Sequence, residues 1–573
     1  MERRLLLVFV LTFVVILLFQ PVLKKFVPQP PEQKPIQQVA QNQQPPMPPV
    51  ATNQPAGSLQ GGPATPPQSA PKQAASESET VIENGLYRIV FSNRGGSVKS
   101  WILKKYKDDK GNPLELVNAA AAEKYGYPLS LWSYDESLRN KMSSALYVVE
   151  STGSAAPTEI KFDYADGDVA VHKSFKFDHS YVVEVHTSVE QKGAYVSAFP
   201  MWPSGLGADT TLPAYAASQV VYQYDSKIER LAIKKISGGN TLPGPFDWAG
   251  VSDQYFAAAF IPRNPQNAAM LTLRNSINVP KDPSHPEDKQ TVPVDVLGAA
   301  VGDLKGPTDA RLYVGPKALP DLEAVHVPGI TGAEPDLRAL IDFGWLGVIA
   351  RPLFIWLKWT YNHIVANWGW AIVVQTVIIN LAILPLRLSS MKSMLKMQRV
   401  APQIKVIQEK YKKYSLRDPR KADMNQEISA LYKKEGVNPV GGCLPMLLPL
   451  FLLWPYYRML MVAIDLRQAH WIWIHDLSAP DPLHILPIGI IVTMFLMQRM
   501  TPQAAMDPAK QKMMNIMMPG MMGVISWNLA AGLNLYWSIG NLIGMAQQLV
   551  MNRTELGREM REMMEKRARK KEK

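Results

Sequence analysis

The stretch WAIVVQTVIINLAILPLRL, Trp370–Leu388, decides how this chain is read. It is long and apolar enough for a helix to cross the hydrocarbon core of a bilayer, which takes about 20 residues. Yet it carries Gln375, Thr376 and Asn380, and Arg387 stands at its end. Polar groups at that depth are expensive and face a partner, a cavity or a wet recess. The pattern recurs, with Arg458 inside Cys443–Ala463 and with Asn528 and Asn534 inside Met513–Val550. Acidic partners of the kind a proton relay needs are missing from these spans. They read as an apolar body with one shared polar recess.

Working outward, Leu5–Leu23 and Leu483–Met500 are further spans. Met513–Val550 is about twice a single span's length and contains Ala530-Ala531-Gly532, which marks a tight turn between two helices. The expectation is six transmembrane helices, five of them a core at 367–551 (369–388, 441–463, 483–500, 512–529 and 533–551). Arg3 and Arg4 place the N-terminus in the cytoplasm by the positive-inside rule, with residues 1–25 an uncleaved anchor. Arg387–Glu435 then falls inside with 13 Lys/Arg against 5 acids, and Arg553–Lys573 with 9 against 5. The net charge of +12 is mostly a cytoplasmic, membrane-facing charge, and the basic tail at 552–573 is a candidate ribosome contact.

Residues 26–80, rich in Pro and Gln, cannot bury a core and read as a linker. From Val81 period-two alternation sets in, as in Val169–Phe175 and Tyr181–His186. Broken by Gly, Asn, Asp and Pro turns, it predicts a large exported β-sandwich over 81–332. His172, His179 and His186 recur every seven residues, a spacing not expected to gather them on strands. The single cysteine, Cys443, lies in a span, so the exported domain is held by its core and not by disulfides.

Residues 333–366 place Leu337, Leu340, Ile341, Leu346, Ile349 and Leu353 at helical spacing beside Trp345, Trp356 and Trp359. That predicts an amphipathic helix on the outer membrane surface, bent at Pro352. Residues 389–437 predict a cytoplasmic helical hairpin. One methionine-rich stripe runs Met391, Met394, Met397, Val400, Ile404, Ile407, Tyr411, and another Met424, Ile428, Leu431, Tyr432. The stripes either zip the two helices together or offer a surface to lipid or an apolar client.

Nucleotide-binding, zinc-protease and nucleophile-elbow motifs are absent, so an enzyme is not expected and no cofactor is implied. Gly540 and Gly544 form a small-x-x-x-small pair, whose ordinary meaning is close helix packing. A small-molecule transporter would also carry mid-membrane polar groups, but the internal repeat common in transporters is not seen. A membrane-anchored carbohydrate-active enzyme would use the sandwich but leave the five-span core unexplained.

Specific strings carry the reading further. NPVGGCLP (Asn438–Pro445), LYKK (Leu431–Lys434), NWGWAI (Asn367–Ile372), LRQA (Leu466–Ala469), WIHDLS (Trp473–Ser478) and GLNLYW (Gly532–Trp537) resemble the YidC family of membrane protein insertases. FSNRGG (Phe91–Gly96), SDQYF (Ser252–Phe256) and YVGPK (Tyr313–Lys317) resemble the periplasmic domain of its Gram-negative members. The resemblance implies a bacterial inner-membrane insertase and chaperone with a polar groove open to lipid and cytoplasm. It implies nascent membrane proteins as clients, action alone or with the Sec translocon, and no ATP. The arginine usual in the family's first core span is Asn380 here, and either Asn380 itself or Arg458 is expected to take its place, with Arg387 an interfacial anchor. Thr376 and Trp537 match groove positions, while Gln375 and Asn528 are this chain's own polar additions. Each amide has an alternative role as glue between helices. Pro449 and Phe451 depart from the usual residues of the second core span.

Overall fold

The computed structural model describes residues 71–562, except 109, 153–157, 208–216, 225–226, 282–289, 328–335, 415–417, 437–438, 501–507, 556 and 560–561. The expected anchor, most of the linker and most of the basic tail lie outside the described residues, as do the side chains of Cys443 and Pro449.

Strands begin at Glu79–Glu83, and all the sheets are antiparallel. A ten-stranded sheet runs from Lys227–Ala232 at one edge, through Phe256–Pro262, Thr308–Pro316, Val182–Gln191 and Val169–Phe177, to Val148–Thr152. A four-stranded sheet beginning at Glu79 and a five-stranded sheet centred on Thr291–Asp303 pack on it. Alternation is the cause: Val169, Val171, Phe175 and Phe177 point inward, while their odd-one-out neighbours stay half exposed. Aromatic pairs bridge the layers, Phe91 stacking on Phe175 at 5.4 Å and Trp101 meeting Trp202 edge-on at 5.9 Å.

One inward position is Lys173, fully buried, which donates to the carbonyls of Gly95 (2.8 Å), Gly96 (3.0 Å) and Leu129 (2.8 Å). It thereby holds the FSNRGG turn. Gly95 has a φ of +68°, and a Cβ there would lie 2.9 Å from the Ser143 carbonyl, so only glycine fits. The sequence motif is a structural clasp.

Three short helices, α1 (Ala119–Tyr125), α2 (Glu136–Ser144) and α3 (Leu319–Glu323), decorate the sandwich. The expected helix over 333–366 is shorter. Leu337–Leu340 is a single 3-10 turn, and Leu337, Leu340 and Ile341 are spent in the sandwich core. The helix proper, α4, runs Gly347–His363 through Pro352 and leaves Val348, Ile355 and Trp359 exposed. Helical spacing alone did not separate the two because both use apolar residues three and four apart.

The bundle follows as α5 (Trp368–Lys410), α6 (Arg420–Lys434), α7 (Pro439–Val462), α8 (Ile485–Met500), α9 (Pro508–Trp527) and α10 (Ala531–Arg553). Two helices are joined by a short turn as expected, but the turn is Asn528–Ala530, and Ala531 and Gly532 open α10; α5 continues unbroken from its apolar span into the hairpin. Lys410 and Glu427 (2.6 Å) and Lys421 and the Tyr411 carbonyl (2.9 Å) tie α5 to α6. The second stripe is only half buried, and no residue of α6 is fully buried. Among the described residues one segment, Trp368–Ser389, is long and apolar enough to cross a membrane, and Ile485–Met500 is apolar but shorter.

Candidate functional site

The bundle's polar residues fall into two sets. Nearer the sandwich, Gln375 is fully buried, donates to the Leu353 carbonyl of α4 (3.0 Å) and accepts from the Tyr456 hydroxyl of α7 (2.8 Å). Tyr456 stacks on Tyr536 of α10, ring centroids 4.0 Å apart. Thr376, also buried, donates to the Ile372 carbonyl one turn back (2.6 Å). These groups knit α4, α5, α7 and α10 together, and Gln375 lies in the position of glue.

Farther along α5, Asn380 donates to the Thr376 carbonyl (2.9 Å), and its own side-chain oxygen accepts from Arg387 Nη2 (3.2 Å). Arg387 Nη1 donates to Gln547 Oε1 of α10 (2.6 Å), and Gln547 Nε2 donates to the Asn380 carbonyl (3.3 Å). Seven residues span about 10 Å of helix. Arg387 closes the gap because helical side chains lean toward the N-terminus and the guanidinium is long. The Arg387 guanidinium thus reaches the side chain at position 380. This corrects the expectation that Arg387 only anchors at an interface.

Room for it comes from α10. A Cβ on Gly540 would lie 3.8 Å from Asn380 Nδ2, and one on Gly544 3.2 Å from Arg387 Nη1. Gly544 therefore leaves room for the guanidinium, while Gly540 lies at ordinary contact distance from the Asn380 amide. Among the described residues Arg387 has no carboxylate within ion-pair distance. A half-buried cation held only by amides keeps its attraction for an anion.

Three expected groove residues lie elsewhere. Arg458 donates to the Asp342 carbonyl (2.8 Å) and lies 3.1 Å from its carboxylate, on the sandwich side of the bundle. It does not join Asn380, because the connector before α4 supplies a nearer acid. Asn528 sits exposed in the α9–α10 turn, since α9 ends at Trp527, two residues sooner than the expected span 512–529. Trp537 is half buried on α10, and it is the neighbouring Tyr536 that faces the cluster. Asn534 donates to the Ser526 (2.9 Å) and Leu529 (3.2 Å) carbonyls and ties down that same turn.

Sequence reasoning missed the contacts of Arg387 with Asn380 and Gln547, and it missed Tyr456. The available signal was the polar face of α10, where Asn534, Ser538, Asn541, Gly544 and Gln548 are all buried. The histidine expectation is also corrected. The antiparallel register sets Ser174 opposite His186 and so makes His172 and His186 diagonal neighbours, rings 5.9 Å apart. Each is held by a carboxylate, Asp163 at 2.5 Å and Asp309 at 2.6 Å. Among the described residues no three such side chains are grouped to hold a metal.

Two family models match the chain. That of the 60Kd inner membrane protein covers residues 359–558, and that of the YidC periplasmic domain covers 79–356. The membrane protein insertase YidC of Syntrophus aciditrophicus is 31% identical over 575 residues, 96% of this chain and 100% of the relative. That of Bordetella avium is 30% identical over 506 residues, 85% of each. Among solved structures, an active YidC insertase with its first transmembrane domain resolved aligns with 86% of this chain and 96% of its own, at 17% identity and a TM-score of 0.33. A galactose mutarotase-like protein from Lactobacillus casei aligns with 42% of this chain and 100% of its own, at 10% identity and a TM-score of 0.26.

Proposed function

The chain belongs to the YidC family of membrane protein insertases, and from that premise we propose that Asn380, Arg387 and Gln547 form the polar groove through which it passes a client's flank. It is an inner-membrane protein with a periplasmic β-rich domain and a helical membrane region. Insertion of a protein into a bilayer is not an enzymatic reaction, and the groove needs only to lower a barrier.

The energetics set what the groove must do. A client helix of about 20 apolar residues gains about 6–12 kcal/mol on insertion, at about 0.3–0.6 each. The obstacle is its polar flank, since one charge at mid-bilayer costs about 3 kcal/mol. A wet recess halfway across shortens that crossing without supplying energy, so ATP is not required. Arg387, with amide partners and no acid among the described residues, draws an acidic flank into the recess, and this single observation carries the reading.

The finer topology belongs to the same proposal. Six spans place both termini in the cytoplasm, the sandwich in the periplasm, and the Arg387 end of the groove toward the basic hairpin. The methionine-bearing hairpin receives nascent clients, with anionic lipid beneath it. The basic tail contacts the ribosome, and the bundle works alone or beside the Sec translocon.

The test uses only the purified full-length protein in liposomes, with a single-span client and no nucleotide. Protection of the translocated flank from added protease, well above that in empty liposomes, is the expected result. Protection no greater than in empty liposomes, from correctly oriented protein, refutes autonomous insertion.

A further inference from the structure

Arg458 failed as a groove residue, and its surroundings give it another role. Its guanidinium holds Asp342 by both carbonyl and carboxylate. On the far side of that carboxylate, 3.8 Å away, is Arg230 of the sandwich strand Lys227–Ala232, which also donates to the Ala339 carbonyl (2.5 Å). Arg230 Nε is buried without a hydrogen-bond partner, so Asp342 is its counter-charge through space. Gly344, at a φ of +67°, curls the connector so closely that a Cβ there would lie 3.4 Å from Arg458 Nε.

The joint is wider than one ion pair. Gln254, from the SDQYF string, donates to the Met461 carbonyl at the end of α7 (2.8 Å). Lys317, from YVGPK, donates to the Asp253 carbonyl (2.7 Å), joining the two strings. Val462 and Ile464 are buried in the sandwich core and not in the helical one. Strings that the groove leaves unexplained therefore meet where the sandwich grips α7. That helix carries Tyr456 two residues before Arg458, and Tyr456 holds Gln375 and stacks on Tyr536.

We propose that Arg458, Asp342 and Arg230 form an ionic pin that fixes the sandwich-side end of α7 and so keeps the outer wall of the groove shut. The inference rests on the groove reading above. Arg458 is a positioning residue, acting through Tyr456 and touching no client. Asp342 between two guanidiniums shares its charge with both, which makes the pin depend on charge and geometry together.

The experiment reads closure directly. In full-length protein with Cys443→Ser, a single cysteine replaces Ala371, which is fully buried on α5. A membrane-impermeant maleimide is added from the sandwich side of proteoliposomes. Arg458→Glu should speed labelling about tenfold or more, as a closed state opens locally. Arg458→Lys should stay near the parent rate, and Asp342→Asn, which removes the carboxylate both guanidiniums share, should speed labelling as Arg458→Gln does. Arg458→Gln, of similar size and neutral, gives a smaller increase and serves if the glutamate variant does not fold. Trypsin resistance of the sandwich monitors folding throughout. Parent-rate labelling in Arg458→Glu and Arg458→Gln overturns the pin, and so does parent-rate labelling in Asp342→Asn. If Arg387→Gln leaves insertion untouched while labelling still follows the charge at 458, the groove reading falls and the pin stands.

Discussion

Replacing Arg387 by glutamine should slow insertion of a client with an acidic flank while sparing one whose flank carries amides instead. The guanidinium loses contact with Gln547 at 2.6 Å and Asn380 at 3.2 Å, both replaceable in part by an amide. What cannot be replaced is the charge. For an acid about 6 Å away, an effective dielectric of about 20–40 gives about 1.4–2.8 kcal/mol. Expressed in the barrier, that is about ten- to hundredfold in rate. The assay is the initial rate of flank protection in proteoliposomes, run for both clients at low and high salt. Salt should narrow the difference for the parent and change little for the variant. Arg387→Lys should fall between, keeping the charge but losing the two-pronged hold. Equal slowing of both clients would mean that Arg387 only braces α5 against α10, and the reasoning would fail. Equal rates in parent and variant would remove the cation from the mechanism altogether.

Gly544→Leu should mimic Arg387→Gln, because even a Cβ lies 3.2 Å from Nη1 and a larger side chain evicts it; Gly544→Ala, which meets only flexible ends, should cost little insertion. Gly369→Ala should lower the unfolding midpoint, since the new methyl would lie 2.2 Å from Trp471 Cγ and overpacking costs about 1–3 kcal/mol; an unchanged melt in detergent refutes this. Burial pulls Lys173 down to about 7 and Lys317 down to about 8. Folded-state values below the unfolded one mean that the unfolded chain binds more protons across that interval, so sandwich stability should rise from about pH 7 to about pH 9. Lys173→Met should remove much of that rise, and a parent profile flat over the same range contradicts it.

The architecture was legible because its signals are periodic. Alternation along Val169–Phe177 named a core face that the structure keeps, and the apolar run at Trp370–Leu388 named a helix. Two alanines and a glycine flagged a break between α9 and α10, which falls just before them, at Asn528–Ala530. The site was only partly legible, because distance along the chain is not distance in the fold. Arg387 looked like an anchor because its reach back along α5 runs past a glycine, Gly544, 157 residues later. Arg458 looked like a groove cation because nothing near it in sequence announces Asp342, more than a hundred residues earlier. The histidines illustrate the same point, their seven-residue spacing hiding a strand register that makes two of them neighbours.

The two polar sets differ in a way that gives the groove a direction. On the sandwich side, both ends of the Gln375 amide are engaged, the Thr376 hydroxyl is tied to its own helix, and Tyr456 is wedged between Gln375 and Tyr536. Such groups have spent their hydrogen bonds on protein, and opening them would leave buried donors and acceptors unpaired at about 1–3 kcal/mol each. Toward the hairpin, Asn380 and Gln547 serve mainly to hold a guanidinium whose charge no acid neutralises. On the proposed reading, a client's flank can therefore exchange with water around Arg387 at small cost, but cannot pass Gln375 without breaking the set that joins four helices. A recess that is hospitable at one end and knotted at the other admits a polar flank partway and then favours lateral escape of the apolar helix into lipid. The ionic pin on α7 belongs to the knotted end, which is why its loss should appear first as leakage from the sandwich side and only second as slower insertion.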